Sequence, residues 1–280
     1  MPALATGPEH SVLIEPGRLK FGANLRELWQ YRELLYFLVW RDIKVRYKQT
    51  AFGAGWAIGQ PLLLMVVFAI FLGQLIHVPS DGVPYPIFAF TALIPWTLFA
   101  QALSGASNSL VSSANLLSKV YFPRLLLPTA VAASFLIDFA LAMVVLAGMM
   151  VVYGIHPGAA IIWLPALTIL AFASALGVGI LFAAINVRYR DVRYAVPFLV
   201  QLWLFASPVG YPSSIVPSSW RFLYSLNPMV GVVEGFRWSL LGSTAPPLLA
   251  LALSSVGTVI VLVVSVLYFQ SVERRFADVI

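Results

Sequence analysis

Cysteine is absent from all 280 residues, so neither disulfides nor thiolate chemistry hold or operate this chain. Charge is scarce as well: Asp, Glu, Lys and Arg together make up 10% of the residues, against about a quarter in an ordinary soluble domain. The three histidines, His10, His77 and His156, lie far apart without ligand spacing, and no metal site is expected. No Gly-x-x-x-x-Gly-Lys-Ser/Thr occurs, which excludes a phosphate-cradling P-loop on this chain. The nearest approach to a nucleophile elbow, Gly105-Ala106-Ser107-Asn108-Ser109, lacks the closing glycine and reads better as small-residue helix packing. No catalytic residue is therefore assigned.

What is abundant is apolar length. Hydrophobic residues make up 60% of the chain, gathered in six stretches at 57–77, 87–106, 128–153, 159–185, 194–210 and 247–269. Each is long enough, or nearly so, for a hydrocarbon core that needs about 20 helical residues. The sequence predicts an all-α membrane protein of six spans, with residues 1–56 as a cytoplasmic lead and 57–280 as the transmembrane domain. The first apolar run starts too far from Met1 to be a cleaved signal peptide, so a cytoplasmic N-terminus is expected.

The basic residues fix the orientation. With both termini cytoplasmic, the inner segments collect Arg18, Lys20, Arg26, Arg32, Arg41, Lys44, Arg46, Lys48, Lys119, Arg124, Arg188, Arg190, Arg193, Arg274 and Arg275, leaving only Arg221 and Arg237 outside. That partition is the usual topogenic bias of cytoplasmic loops. It accounts for the high pI without nucleic acid, which is not expected as a partner.

Residues 25–33 read as an amphipathic helix lying in the membrane interface, with Leu25, Leu28 and Trp29 on one face and Arg26, Glu27, Gln30 and Glu33 on the other. From Leu34 and Phe37 onward the pattern blurs, as for a helix that meets protein as well as lipid. The alternating run Arg41-Asp42-Ile43-Lys44-Val45-Arg46-Tyr47-Lys48 has strand period but no second segment to pair with, so it is taken as continued helix. Pro61 is expected to kink or start the first span. Between spans two and three, 115–122 is an apolar and basic segment stopped by Pro123. It is either a helix lying on the bilayer surface or a knob that enters a groove in a cytoplasmic partner. The turn around Arg188, Arg190 and Arg193 is read as a topogenic stop.

Asp138 is the one carboxylate inside a predicted span, where it costs about 2.5 to 3.5 kcal/mol unless it faces protein or water. It is read as a protonated or hydrogen-bonded packing residue, because no other span supplies a proton relay. Outside, residues 211–246 are too apolar for a solvated loop. Asn227-Pro228 makes a strong helix start and Gly242 a stop. That helix is too short to span, which predicts re-entrant or surface-lying helices over the outer mouth, with Glu234 and Arg237 three apart and able to pair.

The order of these features resembles the membrane subunit of ABC-2 type polysaccharide exporters, the family of O-antigen, capsule and teichoic-acid permeases. The resemblance is carried by Tyr31-Arg32-Glu33-Leu34-Leu35, by Arg41 to Lys48 with Gly53, Trp56 and Pro61 downstream, by Phe122-Pro123-Arg124 with Pro128, by Arg190-Asp191, by Ser207-Pro208-Val209 with Tyr211, and by Asn227-Pro228 followed by Arg237. It implies a homodimer in the bacterial inner membrane, joined by two copies of a cytoplasmic ATPase that carries ATP and magnesium, with no cofactor on this chain. A lipid-linked glycan would pass along the dimer interface. By the same resemblance, Leu116, Leu117, Lys119, Tyr121, Phe122 and Arg124, with Arg41 and Lys44, would couple to the ATPase. Trp220, Tyr224, Asn227, Pro228, Glu234 and Arg237 would form the outer gate.

A sugar chain carries many hydroxyls, each costing on the order of 2 kcal/mol or more to strip of water, so it needs a polar or aromatic path. Trp96, Phe99, Trp203, Phe205 and Tyr211, with Trp220 and Tyr224, are candidates for that path; each could equally belong to the interfacial aromatic belt. Two rivals stay open: an ABC-2 exporter of another lipid or a drug, and a membrane-bound glycosyl- or acyltransferase. The transferase would need a general base or metal-binding carboxylates at one face, and outside there are only Asp81 and Glu234.

Overall fold

The computed structural model describes residues 29–48, 55–117, 119, 122–242 and 245–273, and among these every regular element is helical. Helix α1 is Arg32–Lys48. Helix α2, Gly55–Phe68, carries Pro61 inside it and runs on as a π-helical stretch, Ala69–Leu75. Then follow α3 (Tyr85–Ser112), the short α4 (Ala114–Leu117), α5 (Leu126–Ser134) and α6 (Leu136–Val152). A 3-10 turn, Ala159–Trp163, leads into α7 (Leu164–Arg188), and the chain closes with α8 (Val192–Phe205), α9 (Arg221–Ser225), α10 (Pro228–Leu241) and α11 (Leu248–Glu273).

Among the described residues five segments are long and apolar enough to cross a membrane: Gly55–Leu75, Tyr85–Ser112, Leu126–Val152, Ala159–Arg188 and Leu248–Glu273. The predicted span 194–210 is helical only over the 14 residues of α8. At 1.5 Å per residue it rises about 21 Å, short of a core of about 30 Å. The cause is local: the turn after Phe205 runs into Pro208, which has no N–H with which to continue the helix.

Helix α3 is the hub. Its apolar window is 78% buried, whereas that of Gly55–Leu75 is only 11% buried and faces outward. Close approach explains the small residues at this centre. A side chain at Gly179 of α7 would lie 2.7 Å from Ala106 of α3, and one at Gly105 would lie 2.7 Å from the Phe135 ring. The hydroxyls of Thr91, Thr97, Thr168 and Ser174 donate to carbonyls one turn back in their own helices, which keeps polar groups satisfied at membrane depth. Asn186 of α7 donates to Ser107 O and Asn108 Oδ1 of α3.

A second core lies toward the end where α1, the 122–127 segment and the C-terminal turns of α7 and α11 meet. Leu38, Leu110, Phe122, Leu125, Leu126, Leu127, Val187 and Phe269 are buried there, with Leu34, Leu35 and Val39 packed against them. Helix α1 therefore seats one apolar edge on the protein and turns Tyr36 and Phe37 outward, both 64% exposed. Of the predicted interface helix, 25–33, residues 25–28 lie outside the described residues; Trp29, in its middle, is exposed.

Candidate functional site

Three polar constellations interrupt the apolar body. The first is built on α10. Asn227 caps it by accepting from Met229 N at 3.0 Å, with Pro228 in the first helical position, and Gly242 ends it in the left-handed conformation at φ 62°. The same Asn227 side chain accepts from Trp203 Nε1 at 2.9 Å and donates to Ala206 O and Ser207 Oγ at 3.0 and 2.9 Å. One amide thus ties the start of α10 to the end of α8. Glycine is required on the opposite face: Gly231 N donates to Ser254 Oγ of α11, and a Cβ at Gly231 would sit 2.4 Å from that oxygen.

One turn further on, the Arg237 guanidinium is 2% exposed. It donates to Val209 O at 2.9 Å and Tyr211 O at 3.2 Å, lies 3.6 Å over the Phe88 ring, and pairs with Glu234 at 3.5 Å. Tyr85 OH takes the carbonyl between, Gly210 O, at 2.6 Å. Three successive carbonyls of a non-helical segment are satisfied by side chains from α10 and α3. That is the condition on which irregular backbone persists away from water.

Beside this runs a cleft of about 610 Å³ lined in part by Trp203, Trp220, Tyr224, Asn227, Ser174 and Thr258. Ser174 and Thr258 share a buried hydrogen bond of 2.7 Å between α7 and α11. Tyr224 OH donates to Tyr211 OH, which donates to Phe205 O. Of the aromatic candidates, Trp203 is half-buried on the cleft wall and Phe205 and Trp220 are exposed. Trp96 and Phe99 are closed inside the subunit, at 4% and 0% exposure. They back Trp203 from behind, with Phe99 meeting its ring edge-on at 5.0 Å.

The second constellation surrounds Asp138, in the first turn of α6. Arg46 Nη1 of α1 pairs with Asp138 Oδ2 at 2.8 Å, Arg46 Nη2 donates to Ser134 Oγ at 2.7 Å, and Tyr47 OH donates to Asp138 Oδ1. Burial, reinforced by the bond to Asp138, raises the Tyr47 pKa above the ordinary phenol range, so the phenol stays a donor. The isolated carboxylate is thus answered by an arginine 92 positions away. Sequence reasoning took Arg46 as a topogenic charge and as part of the 41–48 run, not as the partner of Asp138. The need of a lone intramembrane carboxylate for a cation was the available signal.

The third constellation is the 115–124 segment. Lys119 is exposed, and Leu116 and Leu117 are partly buried against the second core. Phe122 is 6% exposed and turned into that core, while Arg124 donates to Glu273 O at the end of α11. Tyr121 lies outside the described residues. Arg41, beside Asp42 at 2.8 Å, and Lys44, over the Trp40 ring, are both exposed on α1. Among the described residues no cluster of His, Asp or Glu could hold a metal ion.

A bundle of helices of which five are long and apolar enough to cross a membrane defines a multi-pass membrane protein. The family model for the ABC-2 type transporter matches residues 33–241, and the chain belongs to that family. It is similar to the O-antigen export system permease protein RfbA of Myxococcus xanthus, 32% identical over 260 residues that cover 91% of this chain and 98% of the relative. An RfbA of Klebsiella pneumoniae is 27% identical over 265 residues, covering 94% and 99%. The polysialic acid transport protein KpsM of Escherichia coli is 23% identical over 197 residues, covering 69% and 76%. As an ABC exporter permease the chain works with an ATPase partner.

Proposed function

We propose that this chain is the transmembrane permease subunit of an ATP-driven exporter that moves lipid-linked O-antigen polysaccharide across the bacterial inner membrane. The observation that carries this reading is the near full-length match to permeases named for O-antigen export. The chain dimerises, and the dimer holds two copies of a cytoplasmic ATPase on which ATP and magnesium are bound. Both termini are cytoplasmic, so α1, Lys119 and Arg124 face the ATPase. The Asn227–Arg237 side faces outward.

In this orientation α8 is a fifth crossing, making six. Its helix is short, and 206–211 completes the passage as irregular backbone held by Arg237, Tyr85 and Asn227. Helices α9 and α10 are re-entrant and, with Trp220, Tyr224, Asn227, Pro228, Glu234 and Arg237, form the outer gate. The glycan slides past Trp203, Phe205 and Tyr211, whose faces stack on sugar rings without fixing a register; the sequence tolerance of base stacking is the analogue. Trp96 and Phe99 brace that wall. Leu116, Leu117, Lys119, Tyr121, Phe122, Arg124, Arg41 and Lys44 are the coupling set. Within it Phe122 is the anchor that seats the segment in the permease, and Lys119, Arg41 and Lys44 are its exposed contacts.

The test is reconstitution with the cognate ATPase in proteoliposomes, followed by export of lipid-linked glycan and by ATP turnover with and without it. Export of O-antigen with glycan-stimulated turnover supports the reading. Neither export nor stimulation by any glycan refutes it. Transport of polysialic acid in place of O-antigen would align the chain with the KpsM relatives instead.

A further inference from the structure

The helix of the third span is interrupted for one residue at Phe135, whose N–H turns to Ala132 O while its backbone stays right-handed helical, and one guanidinium bridges this break. Arg46 holds Ser134, the last residue of α5, through Oγ, lies 3.7 Å over the ring of Phe135 itself, and pairs with Asp138 in the first turn of α6. Tyr47 doubles the attachment on the α6 side. The Phe135 ring also lies close to Gly105 of the hub helix α3, where a Cβ would come within 2.7 Å of it, so both α1 and α3 pack against the break.

Helix α1 is fixed to the body in two unlike ways. Near its start, Leu34, Leu35 and Leu38 lie on the second core through apolar contacts, which carry no direction and tolerate sliding. Near its end, Arg46 and Tyr47 hold Ser134 and Asp138 by directional, charge-assisted bonds.

We propose that Arg46, Tyr47, Ser134 and Asp138 form a clamp through which α1 sets the bend of the third span, with Arg46 and Asp138 as positioning residues for transport. This rests on the exporter reading above. It adds to that reading where mechanical work enters the membrane. Movement imposed on the cytoplasmic face of α1 opens or closes the α5–α6 angle, and α3 is carried with it through Phe135 and Gly105.

The absence of cysteine gives a clean test. Val45→Cys on α1 and Val144→Cys on α6, both exposed at 62% and 70%, take spin labels in the permease–ATPase complex in lipid nanodiscs. Their separation is followed through nucleotide-free, ATP-bound and hydrolysed states. With the clamp intact the α1–α6 distance is the same in all states. With Asp138→Asn, and separately with Arg46→Gln, it broadens and becomes nucleotide-dependent, and glycan exported per ATP hydrolysed falls at least tenfold. Asp138→Glu, which keeps the carboxylate, restores at least half of the wild-type ratio.

An unchanged distance distribution and an unchanged export ratio in assembled Asp138→Asn complexes overturn the clamp. So does an export loss that only tracks a loss of assembled complex. The distance measurement needs no substrate, so a wild-type complex that exports no O-antigen refutes the exporter reading and leaves the clamp to be judged on the labels.

Discussion

Arg237→Leu is the sharpest probe of the outer constellation, because the guanidinium is fully enclosed and every contact it makes has a different owner. The substitution keeps an apolar stem over Phe88 but strips donors from Val209 O and Tyr211 O and leaves Glu234 without its cation. Deleting one partner of a buried ion pair costs about 3 to 5 kcal/mol. The lower end applies here, since bonds inside membrane proteins are weaker, averaging about 0.6 kcal/mol. A loss of about 3 kcal/mol is roughly a hundredfold in the folded-to-unfolded ratio.

Arg237→Lys keeps the charge beside Glu234 but has no planar fork with which to reach two carbonyls. It should cost about 1 to 2 kcal/mol, on the scale of a single charge-assisted bond. Glu234→Gln leaves both carbonyl bonds in place and should cost least. Thermal unfolding of the detergent-purified protein, followed by tryptophan fluorescence, ranks the three. If Glu234→Gln destabilises as much as Arg237→Leu, then the ion pair and not the carbonyl fork holds this region, and the account of 209–211 as side-chain-supported backbone is wrong.

Asn227→Ala should cost about 2 kcal/mol, the upper end of the range for a lost helix cap, because the same amide also ties α8; Trp203→Phe, which removes only one of those bonds, should cost about 1 kcal/mol in the same assay. Gly231→Ala should destabilise by about 1 to 3 kcal/mol through overpacking. Adding Ser254→Ala should rescue it only in part, since the Ala250 carbonyl remains 2.6 Å from the new Cβ. Lys119→Glu should weaken capture of the partner ATPase about tenfold at low ionic strength, with the difference shrinking in high salt as screening removes it. Equal capture at low salt would take Lys119 out of the contact.

The sequence made the local features of α10 readable because each has a short-range cause. Asn227 before Pro228, Gly242 at the far end and the three-residue step from Glu234 to Arg237 all act within one or two turns, and all appear as expected. The continuation of 41–48 as helix was legible for the opposite reason, namely that a lone alternating segment had no partner strand. The length of α8 was not legible, because hydropathy does not distinguish a full crossing from a short helix followed by backbone that other helices must support.

The partners of the buried charges were hidden for a related reason. Arg46 and Asp138 are 92 positions apart, and Arg237 reaches carbonyls at 209 and 211, so neither pairing leaves a mark in a local window. Composition nevertheless narrows the search. Residue 138 is the only carboxylate within the five apolar spans other than the terminal Glu273, and a carboxylate at that depth must find a cation, a donor or water. The basic residues of the chain are gathered in a few short segments, and the partner of Asp138 comes from one of them, Arg46 of α1. Arg46 therefore leaves the exposed face of α1 to pair at the third span, and on the clamp proposed above its position at Phe135 is what gives the pairing a consequence for transport.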